Sequence, residues 1–408
     1  MADKILTFNG KTISGPSGTG TVIIDIPVLP EPAANTLRFD FGDKSYDPTV
    51  AGVGSSGTWT KLSHPFNNIW DWTNTNTSWA TAFGNTMNPG AFADYENNPV
   101  KVIAAGDTSS VTDFSRFFAW CTAITEICPI DTSNATNVRL LFNHCENCEK
   151  FPSYLDFRRI IDCLAIFQGC HRLTTAPDID FPIDHSYSVQ NLFNNCWSLT
   201  EVPLYDLSMC NSLAQMFYSC INLETVPLFN TSNVTLFASM FYDCRKLRDV
   251  PLFDTNNGTD FRQMFRMCES LTEVPLFNTI SATNMMCMFD GVDYGDGHGD
   301  AEMHIRSIPN FNYSQVSRFD NFMRNNVDIT EITEMNIEAN VTRCDNMFKN
   351  CPNVKSGQKE LYDKLSVIGT ITNHADCFKD CGSNTAEGRA ELAQIPVSWG
   401  GTMADVGE

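Results

Sequence analysis

The sequence has few charged residues and is short of positive charge. Only 18% of its 408 residues are charged, and 27 Lys and Arg stand against 48 Asp and Glu, so the formal net charge is −21. A surface of this sign repels phosphate backbones and anionic lipid headgroups. The composition therefore argues against nucleic-acid binding and against binding to a membrane surface.

Long hydrophobic runs are also missing. The longest apolar stretch near the start, residues 22–29, is interrupted by Asp25 and Pro27 and is too short to cross a bilayer. The chain passes from Met1 directly into a strand-like segment, without the apolar core of a secretory leader. From this we expect synthesis in the cytoplasm, no export signal and no membrane insertion.

Catalytic and cofactor-binding patterns are missing as well. The seven histidines are scattered, and none stands in a nucleophile elbow or an H-E-x-x-H helix. No Gly-rich loop follows a strand and opens a helix, so nucleotide binding has no support. The sequence thus favours a protein that is not an enzyme and uses no cofactor.

What the chain does contain is a repeat built on Phe-x-x-Cys. From Cys121 to the degenerate copy at Val292 the steps are 24, 25, 26, 24, 24, 24 and 24 residues, and a second degenerate copy has Asn326 in the cysteine position. We expect the Phe and Cys of each copy to form the structural repeat core. These pairs are Phe118 and Cys121, Phe142 and Cys145, Phe167 and Cys170, Phe193 and Cys196, Phe217 and Cys220, Phe241 and Cys244, Phe265 and Cys268, Phe348 and Cys351, and Phe378 and Cys381.

Each unit carries two hydrophobic periods. After the cysteine, apolar residues at +3, +6 and +8, such as Leu247, Val250 and Leu252, follow the L-x-x-L-x-L spacing of leucine-rich repeats. Before it, Val234, Phe237 and Phe241 have helical spacing, and residues 231–233 could cap a helix. We therefore predict an α/β repeat: a right-handed, leucine-rich-repeat-like solenoid of about eleven coils, each with a short helix and a short strand.

Proline and cysteine refine this prediction. Proline recurs at +7, as in Pro227 and Pro251, and cannot donate a ladder hydrogen bond, so we expect proline-interrupted strands of two to four residues. The cysteines should form one inward column. Their side chains point the same way along a ladder, a geometry that seldom allows a disulfide, so buried free thiols are expected.

The organisation along the chain follows from where the repeat begins and ends. We predict an N-terminal attachment segment at 1–34, a Trp-rich N-terminal cap at 35–104, the repeat solenoid at 105–381, and a C-terminal cap and tail at 382–408. The attachment and cap region should be small and β-rich, because the ends of a solenoid need a polar outer layer.

The units resemble the BspA-like leucine-rich repeats of bacterial surface antigens, also called mycoplasma lipoprotein-type repeats. The resemblance is carried by residues 229–235, residues 131–136 and the Met-Phe-x-x-Cys run 216–220, and it covers about residues 105–400. Here Val-Pro-Leu stands where many members have a strand without proline. The family implies a non-enzymatic adhesin or protein-binding surface protein, which reaches the surface by a signal or a lipid anchor.

Without such a signal, the polar, acidic chain resembles a gut bacteriophage virion protein, and its opening resembles the attachment segments of phage fibres. We expect a virion structural protein (fibre, appendage or decoration) that serves host attachment. It would contact other virion proteins through the N-terminal segment and a host surface glycan or protein through the solenoid, with homo-oligomerisation left open. The alternatives are a BspA-like adhesin on the bacterial cell surface and, more remotely, a solenoid polysaccharide depolymerase.

Three groups of residues are candidate contact sites. Trp70, Trp72 and Trp79 could stack on sugars or anchor a protein partner, although a role in the cap core is favoured. Carboxylates at alternate positions of an insertion could gather Ca²⁺, although a solvated loop is favoured; these are Asp293, Asp296, Asp300 and Glu302. The last group consists of outward positions of the repeats, where Glu201, Thr225, Asp249 and Glu273 form mixed-charge rows.

Overall fold

The computed structural model describes residues 5–8, 11–14, 29–41, 48–49, 56–62, 69–79, 100–292 and 299–402. The chain forms two compact units, Met1–Glu31 and Pro32–Glu408. In the first unit, β1 (Ile5–Phe8) pairs with β2 (Lys11–Ser14) as an antiparallel hairpin. Among the described residues, no helix has the length and apolar character needed to cross a membrane.

The second unit begins with a five-stranded sheet in the order β4-β5-β3-β6-β7. Its strands are β3 (Thr36–Asp40), β4 (Thr58–Lys61), β5 (Ile69–Thr73), β6 (Val100–Ala105) and β7 (Ile124–Ile127). The first four pair antiparallel, whereas β7, which belongs to the first repeat, pairs parallel with β6. The cap sheet therefore continues directly into the repeats.

Beyond the cap, successive repeats pair in parallel through very short strands and single bridges. The strands are β8 (Tyr154–Asp156), β9 (Asp178–Asp180), β10 (Tyr187–Ser188) and β11 (Cys210–Ser212). Further on, single parallel bridges join Leu236 to Asp260 and Asp260 to Asn284. The prediction of strands of two to four residues is confirmed.

The Phe and Cys column forms the centre of these stacked coils. All nine predicted Phe-Cys pairs are fully buried. The rings of Phe217, Phe241 and Phe265 lie above one another, with centroids 5.6 and 5.8 Å apart and ring planes within 9°. Because no unit can bury this stripe alone, the stacking of neighbours creates the core.

The helix predicted before each cysteine is wrong. Residues 213–220 form overlapping turns: the N–H groups of Met216 and Cys220 bond to carbonyls three residues back, of Leu213 and Phe217. The N–H groups of Phe217 and Ser219 bond instead to the next coil, to the carbonyls of Met240 at 3.0 Å and Tyr242 at 2.7 Å. Turns of this kind bury residues at the same spacing as a helix does, so the hydrophobic pattern alone does not distinguish the two conformations.

These turn segments contain residues in the left-handed conformation, in most of them as a pair four residues apart. Gln215 and Ser219 have φ of 57° and 53°, and Asn191 and Asn195 have φ of 57° and 58°. A helix cannot pass through such residues, and they are costly for side chains other than glycine and asparagine. The hydrogen bonds between coils hold them in place.

The only α-helices of the described chain lie in the C-terminal part. They are α1 (Gln358–Ser366) and α2 (Ala386–Leu392), followed by a 3₁₀ turn at Val397–Trp399. The carbonyl of Trp399 accepts from the N–H of Phe378 at 2.9 Å, and its ring stacks on His374. This segment thus gives the last coil the contacts that a further coil would provide.

The turn at residues 230–233 is not a helix cap, contrary to the prediction. Asn230 Oδ1 accepts from the Ser232 N–H at 3.2 Å, which closes an Asx turn. The hydroxyl of Thr231 is buried and donates to the carbonyl of Asp254 in the next coil at 2.8 Å. The polar motif of each unit therefore binds the coils together.

The cysteines form a second ladder between coils. All sixteen are free, and fifteen are buried. In the column, Cys244 Sγ donates to the carbonyl of Phe217 at 3.0 Å, and Cys268 Sγ donates to that of Phe241 at 3.0 Å. Five further column cysteines donate in the same way to the preceding coil: Cys145, Cys170, Cys196, Cys220 and Cys351. The prediction of buried free thiols is confirmed.

A buried cluster of one carboxylate and two guanidiniums stabilises the coils around residue 290. Asp290 is fully buried, both its oxygens accept from Arg324 at 2.8 Å, and Arg266 lies 3.4 Å from it. Asp290→Asn should lower the free energy of unfolding by about 3–5 kcal/mol, because it leaves two buried guanidiniums without their counter-charge. Urea unfolding measures this loss. The control Asp260→Asn breaks a surface pair with Arg262 and should cost less than about 1 kcal/mol; equal losses would contradict the expectation.

Candidate binding surface

The outward rows predicted from the repeats are at the surface. Glu201, Thr225, Asp249 and Glu273 are all exposed. The one cation at the +4 and +5 positions of these four coils is Arg248, which lies 3.4 Å from Glu224 and is exposed like its partner. A contact role for these residues stays a prediction, and their exposure makes them available for one.

The leucines at +8 were expected in the core and are instead on the surface. They are between 60% and 68% exposed, whereas the aromatic residues that follow them are buried; the four are Leu204, Leu228, Leu252 and Leu276. At Leu252, the N–H of Phe253 bonds back to the carbonyl of Pro251 at 2.9 Å, and the same three-residue turn recurs around Leu276. In a strand, the leucine would face inward and the next residue outward; this γ-type turn reverses that alternation, so the leucine is exposed and the aromatic residue is buried.

The result is a line of aliphatic side chains, which we call the leucine row (Leu204, Leu228, Leu252 and Leu276). The row lies on four successive coils, and the ring centroids of Phe229 and Phe253, its buried neighbours, are 6.2 Å apart with planes within 2°. Sequence reasoning missed the row. The aromatic residue at +9 could have predicted the row. Only one of the two residues after the proline can face inward, and the larger aromatic ring takes that position.

Polar residues border the leucine row on its C-terminal side. Two residues after each leucine stands an exposed Asp or Asn: Asp206, Asn230, Asp254 or Asn278. Their side chains are oriented by Asx turns, as in Asp254 Oδ1, which accepts from the Asn256 N–H at 3.1 Å. The leucine row is thus flanked by fixed acidic and amide groups.

The tryptophans lie in the cap core. Trp70, Trp72 and Trp79 are buried, and Trp79 packs on Phe114 and Phe117 of the first repeat with ring centroids 5.7 and 5.3 Å apart. The favoured core interpretation is therefore correct. Their burial leaves no exposed ring face on which a sugar could stack.

The acidic insertion is only partly described. Asp293 and Asp296 lie outside the described residues, while Asp300 and Glu302 are exposed. Within the described part of the chain, no three His, Cys, Asp or Glu side chains are grouped as metal ligands would be. The Ca²⁺ interpretation thus gains no support from the two carboxylates that can be placed.

A groove of about 400 Å³ opens between three successive coils. It is lined by Ser133, Asn134, Arg158, Arg159, Ile183 and Asp184. Arg158 is held by Asp156, whose pKa is lowered chiefly by the hydrogen bond from that guanidinium. The imidazole of His185 is hydrogen-bonded to the Ile160 carbonyl and to the Asp184 carboxylate, and these two bonds raise its pKa. Most charges around the groove are therefore paired.

Comparison with known proteins places the chain in a family. No curated protein matches it. A leucine-rich repeat protein from Bacteroides ovatus ATCC 8483, whose crystal structure was determined at 1.19 Å, is 14% identical, with a TM-score of 0.34 over 69% of this chain and 71% of that one. The family described as "Mycoplasma protein of unknown function, DUF285" matches residues 60–179 and 187–301, more than half of the chain. The chain therefore belongs to this family of BspA-like repeats, as its Phe-x-x-Cys units indicate.

Proposed function

We propose that the chain is a non-enzymatic structural protein of a bacteriophage virion, a fibre, appendage or decoration protein. Its coils would form a right-handed solenoid whose outer rows bind a host surface glycan or protein. Its N-terminal segment would bind other virion proteins. The observation that carries the binding role is the division of each coil: aromatic and thiol groups fill the interior, while regular rows of side chains cover the outside.

The contacts between coils also support this assignment, because buried hydroxyl and thiol groups join successive coils and so fix the relative positions of the outer rows. The placement in a virion rests on the acidic, lysine-poor composition and on the resemblance of the opening segment to fibre attachment segments. The unit Met1–Glu31, separate from the repeats, suits such a docking role.

Mass spectrometry of gradient-purified particles tests the placement. We expect peptides of this chain at constant ratio to the major capsid protein, and loss of the chain from particles when residues 1–31 are removed from its gene. Recovery of the chain only in washed host envelopes would contradict the proposal and favour the bacterial adhesin. Release of reducing sugar from host capsule by the purified chain would favour the depolymerase.

A further inference from the structure

The leucine row is the largest departure from the expected surface of a protein this polar. Four leucines, each at least 60% exposed, stand on consecutive coils. Single exposed leucines need no explanation, but an ordered line of them marks an interaction site. We propose that the leucine row binds a cationic amphipathic helix of a partner protein. The inference rests on the proposed binding role and specifies the chemistry of one partner.

The charged groups near the leucine row determine which charge the partner must carry. Two sets of positions border the leucine row in these four coils: those four and five residues after each cysteine, and that two residues after each leucine. Together they carry one guanidinium, that of Arg248, and six carboxylates, which are Glu201, Asp206, Glu224, Asp249, Asp254 and Glu273. Chain length places each flanking Cα within about 14 Å of its leucine, less than two Debye lengths at physiological salt. An occupant with lysine or arginine beside its apolar stripe is therefore attracted.

The same charges exclude two other occupants. A second copy of the chain, with its net charge of −21, would bring acidic rows against acidic rows. An anionic lipid surface would meet the same repulsion. The leucine row therefore requires a foreign, basic partner.

A helix fits the leucine row and its two acidic borders. The buried rings that follow the four leucines are 6.1, 6.2 and 6.4 Å apart along the coils. A helix presents one apolar position per turn of about 5.4 Å, so over three steps it falls short of the row by about 2.5 Å, a mismatch that leucine side chains can span. A helix also places polar residues on both sides of its apolar stripe, where the acidic groups lie, whereas a strand directs them to its opposite face.

Calorimetry with two designed peptides tests the proposal. One peptide has leucine on one helical face and lysine elsewhere, and the other replaces every lysine by glutamate. The full chain should bind the lysine peptide, more weakly as salt is raised, and should not bind the glutamate peptide. The variant Leu228→Ser/Leu252→Ser should bind the lysine peptide at least tenfold more weakly.

The matched control is Ile161→Ser/Val367→Ser, which removes two apolar side chains, 78% and 82% exposed, from outside the leucine row. It should bind as the unmodified chain does. Equal binding by the Leu228→Ser/Leu252→Ser variant, or no binding of the lysine peptide at all, would overturn the proposal. Neither outcome affects incorporation into particles, so the proposed function is judged separately.

Discussion

The protein should unfold when the pH is raised to about 10, even in the presence of a reductant. Burial raises the pKa of the column thiols well above their ordinary value of 9.0, as at Cys170, Cys196 and Cys244, and neighbouring thiols add to the effect. At Cys351 burial raises the pKa to about 12. In the folded chain these groups therefore stay protonated through the range in which exposed cysteines ionise.

The sign of the effect follows from proton counts. Above pH 9 the unfolded chain loses thiol protons that the folded chain retains, so the free energy of unfolding falls as the pH rises. Below pH 9 both states are protonated and the thiols give no dependence. One pH unit above the ordinary value, each buried thiol costs about 1.4 kcal/mol. The seven hydrogen-bonded column thiols together cost about 10 kcal/mol, comparable to the whole stability of a domain.

The variant Cys220→Ser/Cys244→Ser/Cys268→Ser isolates the thiol contribution. Serine can still donate to the carbonyl of the preceding coil, but it does not ionise in this range. Between pH 8 and 9.5, where the unmodified chain is still folded, urea titrations should show a shallower slope for the variant, whose free energy of unfolding falls by about 2–3 kcal/mol less over this range. An identical slope in the two proteins would mean that the column thiols are not the cause.

Phe253→Ala should be severely destabilising, whereas Leu252→Ala, one residue earlier, should be almost neutral. Phe253 is buried, and its ring stacks between Phe229 and Phe277 at 6.2 and 6.4 Å. Its truncation leaves a cavity in the column and should cost about 3–5 kcal/mol. Leu252 is 60% exposed, so its truncation should change the free energy of unfolding by less than about 0.5 kcal/mol.

Urea unfolding of the two variants at pH 7 measures both values. The pair is well matched, because each variant removes a large apolar side chain from the same γ-type turn. A large loss in Leu252→Ala would restore the L-x-x-L-x-L interpretation, in which that leucine belongs to the core. Similar small losses in both would contradict the stacked aromatic column itself.

The repeat core was predictable because it depends on period alone. A Phe and a Cys that recur every 24 to 26 residues from Cys121 onward must occupy equivalent places in a stack, and the structure buries these pairs and the two later, less regularly spaced ones. The proline at +7 also predicted short strands correctly, since it removes a donor whatever the surrounding conformation. These inferences need no knowledge of dihedral angles.

The local conformation was not predictable in the same way. Leu213, Met216, Phe217 and Cys220 have the spacing of a helical stripe, and overlapping turns bury that same spacing. The distinction lies in the φ angles of Gln215 and Ser219, residue types that give no sign of a left-handed conformation. The leucine row was missed for a related reason: a single γ-type turn changes which of two adjacent apolar residues faces inward.

The ladders of hydroxyl, thiol and backbone groups join equivalent positions of successive coils. Thr259 donates to the carbonyl of Thr235, and Thr283 donates to that of Thr259. A gene duplication or loss of one whole unit therefore yields a chain in which every coil still meets the neighbour it requires. Recombination can change the length of the molecule without new packing, while point substitution at exposed positions changes what each added unit presents.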